Sequence, residues 1–95
     1  MQIDEQTKAE PDSQALFTDL KDGEAVVLHL QTHAYYGLNS TGKRIWELLV
    51  QGRTLGEISS KLQEEYEIEA DEATEHVREF TEELLSAQLV QLRNE

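Results

Sequence analysis

Three histidines, His29, His33 and His76, are the side chains of this 95-residue chain whose ordinary titration lies near neutrality. His29 and His33 stand four apart, a spacing that would align two metal ligands on a helix, but here it crosses a strand end and a turn. They read as surface or rim histidines. Carboxylate pairs are plentiful among the twenty Asp and Glu residues, yet on helix faces such pairs are the ordinary way of keeping a helix soluble. The chain has no cysteine, which removes disulfides, thiol nucleophiles and Cys-ligated zinc. It has no glycine-rich phosphate loop. Asn39-Ser40-Thr41 matches a glycosylation sequon but reads better as a helix cap. Asp12-Ser13-Gln14 lies in the polar N-terminal stretch and lacks the Asp-Ser-Leu wording of a carrier-arm attachment site. The expectation is therefore no catalytic residue, no metal and no cofactor.

Size and charge point the same way. A chain of this length forms one domain, burying about 60–65 % of its unfolded surface and leaving little room for a deep cleft. Apolar residues make up 38 % and charged residues 29 % of the sequence, as in ordinary soluble domains. Eight bases against twenty acids leave a net charge of −12, which disfavours nucleic acid and anionic lipid. The first ten residues are too polar for a signal peptide, and the apolar run from Ala25 to Leu30 is too short to span a membrane. A cytoplasmic protein without nucleic-acid or membrane partners is expected.

The positioning elements follow from periodicity. Residues 1–13, with the single proline at Pro11, read as a flexible N-terminal tail, and residues 14–92 as the domain. Alternation over Ala15, Phe17 and Leu20, then over Glu24 to Leu30, then over Ala34 to Leu38, predicts a three-stranded antiparallel meander. At Asn39-Ser40 the period changes from 2 to 3.6. Ser40 is expected to cap a first helix carrying Ile45, Trp46, Leu48 and Leu49, with Gly52 as its stop. Thr54-Leu55-Gly56-Glu57 has capping-box spacing and opens a second helix. Asp71 is expected to cap a third, whose core face is Ala73, Val77, Phe80 and Leu84. The class is α+β, winged helix-turn-helix-like: an N-terminal meander followed by three helices.

Two features of this arrangement suggest binding. The last strand of a meander is an edge with unpaired backbone groups, and Ala34-Tyr35-Tyr36-Gly37-Leu38 has neither Lys nor Pro to blunt it. It offers aromatic side chains and open backbone, the requirements of strand addition. The third helix is lopsided. Ten of the twenty acids fall between Glu64 and Glu83, with Arg78 as the only base in that span. Acids fill the face opposite the core stripe and one flank, whereas Thr74, Arg78, Thr81 and Leu85 form a less acidic flank. That flank is expected to wall a groove beside the third strand, and the surrounding acids favour a basic, extended peptide.

Tyr36-Gly-Leu-Asn39-x-x-Gly42, Ile45-Trp46-Glu-Leu-Leu49, Gly52-Arg-Thr54-Leu-x-Glu57-Ile58, Leu62, Tyr66 and Val77-x-x-Phe80-x-x-x-Leu84-x-x-x-x-Leu89-Val90 together resemble the PqqD family. The resemblance covers about residues 15 to 90. It implies a non-catalytic recognition element that grips the leader of a ribosomally made precursor peptide by strand addition to the third strand, against the third helix. It implies a modifying partner such as a leader peptidase, a cyclase or a radical SAM enzyme. The wording is closer to stand-alone lasso-peptide members than to the pyrroloquinoline quinone protein, which is the alternative within the family. The expected peptide-binding set is Ala34, Tyr35, Tyr36, Gly37 and Leu38 with Val77, Arg78, Thr81, Leu84 and Leu85. The sequence departs from the family at His76, where Asp is common, and at Thr81, where Leu is common. Two other classes compete: a winged-helix DNA regulator acting through the four bases Lys43, Arg44, Arg53 and Lys61, and a weak homodimer pairing the same edge, as against a monomer.

Overall fold

Apolar residues alternate with polar or half-exposed ones along the first half of the chain and recur every three to four positions along the second, and the structure follows that change of period. The computed structural model describes residues 4–93. The strands are β1 (Lys8–Pro11), β2 (Ala15–Asp19), β3 (Ala25–His29) and β4 (Tyr35–Leu38). They are followed by helices α1 (Ser40–Val50), α2 (Leu55–Tyr66) and α3 (Ala70–Ser86) and by strand β5 (Val90–Arg93). The class is α+β. β2, β3 and β4 form the expected antiparallel meander in that order, and β1 and β5 form a separate antiparallel pair. In β3, Ala25, Val27 and His29 are buried while Val26 and Leu28 are half-buried. Period-two alternation thus sets one sheet face on the core. With Leu38 of β4 it belongs to one buried core cluster with Ile45, Leu48, Leu49, Ile58, Leu62, Phe80 and Leu84 of the helices. Phe17 of β2 stacks on Trp46 of α1 with ring centroids 6.2 Å apart, which ties the far edge of the meander to the first helix.

The helix ends show where local chemistry was readable. Thr54 and Glu57 form the expected capping box at the start of α2: Thr54 Oγ1 accepts from the Glu57 N–H and the Glu57 carboxylate accepts from the Thr54 N–H. Gly52 follows α1 with φ of +85°, a conformation glycine reaches without a Cβ penalty. Two caps differ from expectation. Asn39, not Ser40, caps α1, its Oδ1 accepting from the Gly42 N–H at 2.8 Å. α3 starts after Glu69, which makes no side-chain cap bond, and Asp71 lies inside its first turn, where a carboxylate favours the positive end of the helix dipole. His29 is not a rim residue. It is buried, and its Nδ1 accepts from the N–H groups of Gln31 and Thr32, both at 3.2 Å. The His29 imidazole therefore organises the turn between β3 and β4. His33 lies in the same turn and is exposed.

The N-terminal segment is a correction. Residues 1–3 lie outside the described residues, but the remainder of the expected tail is built into the domain. β1 pairs with β5 from Lys8↔Arg93 to Pro11↔Val90, and Thr7 and Ala9 are buried. The free N–H groups of the first turn of α2 explain part of this. Leu55 donates to the Thr7 carbonyl at 2.8 Å and Gly56 to the Glu5 carbonyl at 3.1 Å, so residues 5–7 satisfy donors that a helix cannot satisfy itself. A Cβ on Gly56 would stand 3.1 Å from that Glu5 carbonyl, so glycine permits the approach. The sequence hides this because a four-residue strand with one buried side chain every second position looks like any polar stretch.

A chain starting at residue 14 should therefore lose about 3 kcal/mol or more of stability, at roughly 1 kcal/mol net per lost backbone bond. Urea denaturation followed by circular dichroism measures this, and an unchanged midpoint would restore the tail.

Candidate functional site

β4 is an edge of its sheet, and its register decides which backbone groups are free. β3 and β4 pair Ala25↔Leu38, Val26↔Gly37, Val27↔Tyr36 and Leu28↔Tyr35. The His29 N–H donates to the Ala34 carbonyl at 2.8 Å. In an antiparallel ladder the bonded pairs alternate, so Tyr36 and Leu38 also direct their N–H and C=O toward β3. Tyr35 and Gly37 direct theirs outward, where no further strand stands among the described residues. The side chains alternate as well. Tyr36 and Leu38 turn toward the helices, and Tyr35 and Gly37 are exposed.

α3 supplies the opposite wall. A groove of about 670 Å³ runs between the two elements. Its β4 side is Tyr36, Gly37 and Leu38, continued by Asn39, Thr41 and Gly42 at the start of α1. Its α3 side is His76, Glu79, Phe80 and Glu83, while Ile45, Tyr66 and Ile68 complete the lining. Phe80 sits edge-on to Tyr36, ring centroids 5.9 Å apart and planes at 73°, the favoured edge-to-face geometry of aromatic pairs. Gly42 lets the Phe80 ring close on the start of α1: a Cβ there would stand 3.2 Å from Phe80 Cε1.

The expected residues divide between this groove and other places. Tyr36, Gly37 and Leu38 line it. Tyr35 lies on the other sheet face, 74 % exposed, and its side chain stays out of this groove. Ala34 belongs to the turn, donating its N–H to Thr32 Oγ1 at 3.2 Å. The structure places the expected α3 residues away from this groove. Val77, Thr81 and Leu84 are fully buried in the core, with Thr81 Oγ1 donating to the Val77 carbonyl at 2.8 Å. Leu85 is half-buried against the same core. Arg78 opens on a different cavity, about 280 Å³ between α2 and α3, and is ion-paired with Glu75 and Glu82. Thr74 on the same flank meets Ser59 of α2, oxygen to oxygen, at 3.1 Å. That flank is poor in acids because it faces α2. The flank facing β4 is His76, Glu79, Phe80 and Glu83, at helical spacing i, i+3, i+4 and i+7. That spacing was available in the sequence, but its acids look like an ordinary solvated face.

The groove's polar chemistry centres on one bridge. The Tyr36 hydroxyl donates to the Glu83 carboxylate, at 2.7 Å to Oε1 and 3.0 Å to Oε2. Desolvation, followed by the neighbouring carboxylate as acceptor and negative charge, pushes the Tyr36 phenol from 10.0 up to about 12. His76 Nε2 lies 3.7 Å from Glu72, and Glu79 and Glu83 place two carboxylates on this wall. Among the described residues, no three His, Cys, Asp or Glu side chains converge to hold a metal ion.

Residues 24–90 match the family described as Coenzyme PQQ synthesis protein D (PqqD). The chain belongs to the PqqD family. The matched span contains β4, α3 and every residue lining the groove. Among solved structures, TbiB1 in complex with the TbiA(beta) leader peptide is 32 % identical, with a TM-score of 0.80 over 86 % of this PqqD-family chain and 94 % of its own. Lasso peptide synthetase B1 complexed with the leader peptide is 20 % identical, with a TM-score of 0.80 over 88 % of this chain and 98 % of its own, and shares the fold. A comparison with curated proteins finds no match.

Because burial first and the Glu83 bridge second hold the phenol protonated, the stability linked to that protonation is fully present below pH 10 and is lost as pH rises through about 12. Subtracting the phenolate absorbance titration of Tyr36→Phe from that of the parent should isolate a midpoint near 12. Glu83→Gln should lower it only part of the way, since desolvation is the largest cause; a parent midpoint near 10 would contradict the bridge.

Proposed function

We propose that this chain is a non-catalytic adaptor for the leader segment of a ribosomally synthesised precursor peptide. The leader adds as an antiparallel strand to β4, lies against α3 and is presented to modifying enzymes. Lasso peptide biosynthesis is the favoured setting, with a leader peptidase or cyclase as the enzyme partner and the cytoplasm as the compartment. Among the described residues no helix is long and apolar enough to cross a membrane. The observation that carries the reading is the outward backbone of Tyr35 and Gly37 beside an apolar-floored groove. The 32 % identical TbiB1, solved with a leader peptide, supports the class of ligand.

Magnitudes assign the roles. Tyr35 and Gly37 present two donors and two acceptors, worth about 4 kcal/mol at roughly 1 kcal/mol net each. Micromolar affinity needs about 8 kcal/mol, after the cost of immobilising a flexible peptide. The ladder therefore supplies sequence-tolerant holding, and apolar side chains buried over Phe80, Ile45, Leu38 and Ile68 supply the remainder at about 1.5–3 kcal/mol each. Glu79 and Glu83, in a chain of net charge −12, favour basic residues flanking those anchors.

The match to Coenzyme PQQ synthesis protein D supports a second setting, a chaperone role in quinone-cofactor synthesis with a radical SAM enzyme as partner. The winged-helix-like reading takes α1 and α2 as the helix-turn-helix and β2–β4 as the wing. The DNA role that would accompany it is weakened by the bases it needs. Lys43 Nζ is 2.8 Å from Asp19. Arg44 is bound to Glu65 through two nitrogens at 2.7 and 2.8 Å, holding that carboxyl below its ordinary range. A monomer fits the reading best, since self-pairing would occupy the leader's edge.

Calorimetric titration with the leader peptide encoded beside this gene should show binding, and none at tens of micromolar would reject the adaptor. Gly37→Pro should weaken binding at least about fivefold, the equivalent of ~1 kcal/mol, with the fold checked by circular dichroism. It deletes an outward donor while Tyr36 and Leu38 keep the bonds to β3. Stopped-flow association should slow between 50 mM and 500 mM salt if the acidic wall steers the encounter, the usual behaviour of charge-steered binding; a rate indifferent to salt would assign those acids to solubility alone.

A further inference from the structure

Resting on the strand-addition reading, we propose a second subsite on the opposite face of the sheet from the groove. Val26, Gly37 and Tyr35 form a notch there that takes one bulky apolar side chain from the added strand. A strand paired to β4 sends every second side chain toward α3 and the others to the outer face. The peptide residue opposite Tyr36 enters the groove, and the residues opposite Tyr35 and Gly37 face outward. At Gly37 they meet a gap, since a Cβ built there has nothing within 4 Å. Directly across β4 from that gap is Val26, paired with Gly37 and half-buried. Beside it stands Tyr35, 74 % exposed. A side chain from the added strand can therefore lie over Gly37, cover Val26 and pack against the Tyr35 ring, as cross-strand neighbours do.

The chemistry of this face sets the class of side chain. Its members across the three strands are Leu16 and Thr18, Val26 and Leu28, Tyr35 and Gly37 by the observed registers. None is charged, in a chain of net charge −12. Leu16 is 47 % exposed and pairs with Leu28, which pairs with Tyr35, so an apolar row crosses the meander and stops at the free edge. The groove reads side chains at one parity of the leader and this face at the other. The occupant is an aromatic or branched aliphatic residue one position away from a groove-bound one, because the gap at Gly37 is one side chain wide.

The experiment is an alanine scan of a fluorescein-labelled synthetic leader, the one encoded beside this gene, titrated by anisotropy against the full chain and against Gly37→Val. Valine has room at that position and suits a strand. At one leader position alanine should cost fivefold or more with the parent and less than twofold with Gly37→Val, since the valine already fills the notch. Val26→Thr, near-isosteric and on the same row, should shrink the cost at the same position, and it decides the matter if Gly37→Val does not fold. Alanine costs that are identical in parent and variants overturn the subsite and leave strand addition standing. Absence of binding between the parent and the unmodified leader overturns both.

Discussion

A strand at the end of a sheet bonds to its neighbour through alternate residues, and the residues between them are left with unpaired donors and acceptors. In β4 this constraint separates the structural from the available. Tyr36 and Leu38 turn both backbone and side chain inward, holding the strand to β3 and to the helices. Tyr35 and Gly37 turn their backbone to the open edge. Sheets usually protect such an edge with charge, proline or a covering element. Here a helix stands beside the edge without closing on it, and the space between them is the groove.

The Tyr36–Glu83 bridge and the edge-to-face contact with Phe80 fix the distance between the two walls. They also give the groove a mixed character, with an apolar floor from Ile45, Leu38 and Ile68 and an acidic rim from Glu79 and Glu83. Such a surface suits an extended chain with apolar anchors and basic neighbours, and among the described residues no three His, Cys, Asp or Glu side chains converge to hold a metal ion. The likeness to TbiB1, solved with the TbiA(beta) leader peptide, and the match over residues 24–90 agree with a leader-binding scaffold of the PqqD family.

The parts of the fold set by local rules were legible. The meander strands were expected within about a residue of their observed ends, because β-branched alternation and the Lys21-Asp22-Gly23 turn are short-range signals. The Thr54–Glu57 box and the Gly52 stop were legible for the same reason. β1 and β5 were not. Their pairing joins residues some eighty positions apart, and no local pattern distinguishes Lys8–Pro11 from a solvated tail until Thr7 and Glu5 are seen accepting from the first turn of α2.

The candidate site divides along the same line. The sequence by itself determined that the last strand of a meander would present an unprotected aromatic edge, that α3 would bury Ala73, Val77, Phe80 and Leu84, and that one of its flanks would be acidic. These depend only on side-chain type and on the periods of strand and helix. Which flank of α3 faces β4 was decided by the tertiary structure. The core stripe does not say which flank meets which neighbour, and that is decided when α2 packs on the Thr74 and Arg78 side. That packing leaves His76, Glu79, Phe80 and Glu83 to wall the groove. The free backbone groups of β4 were decided the same way, by a register between two strands that neither strand specifies alone.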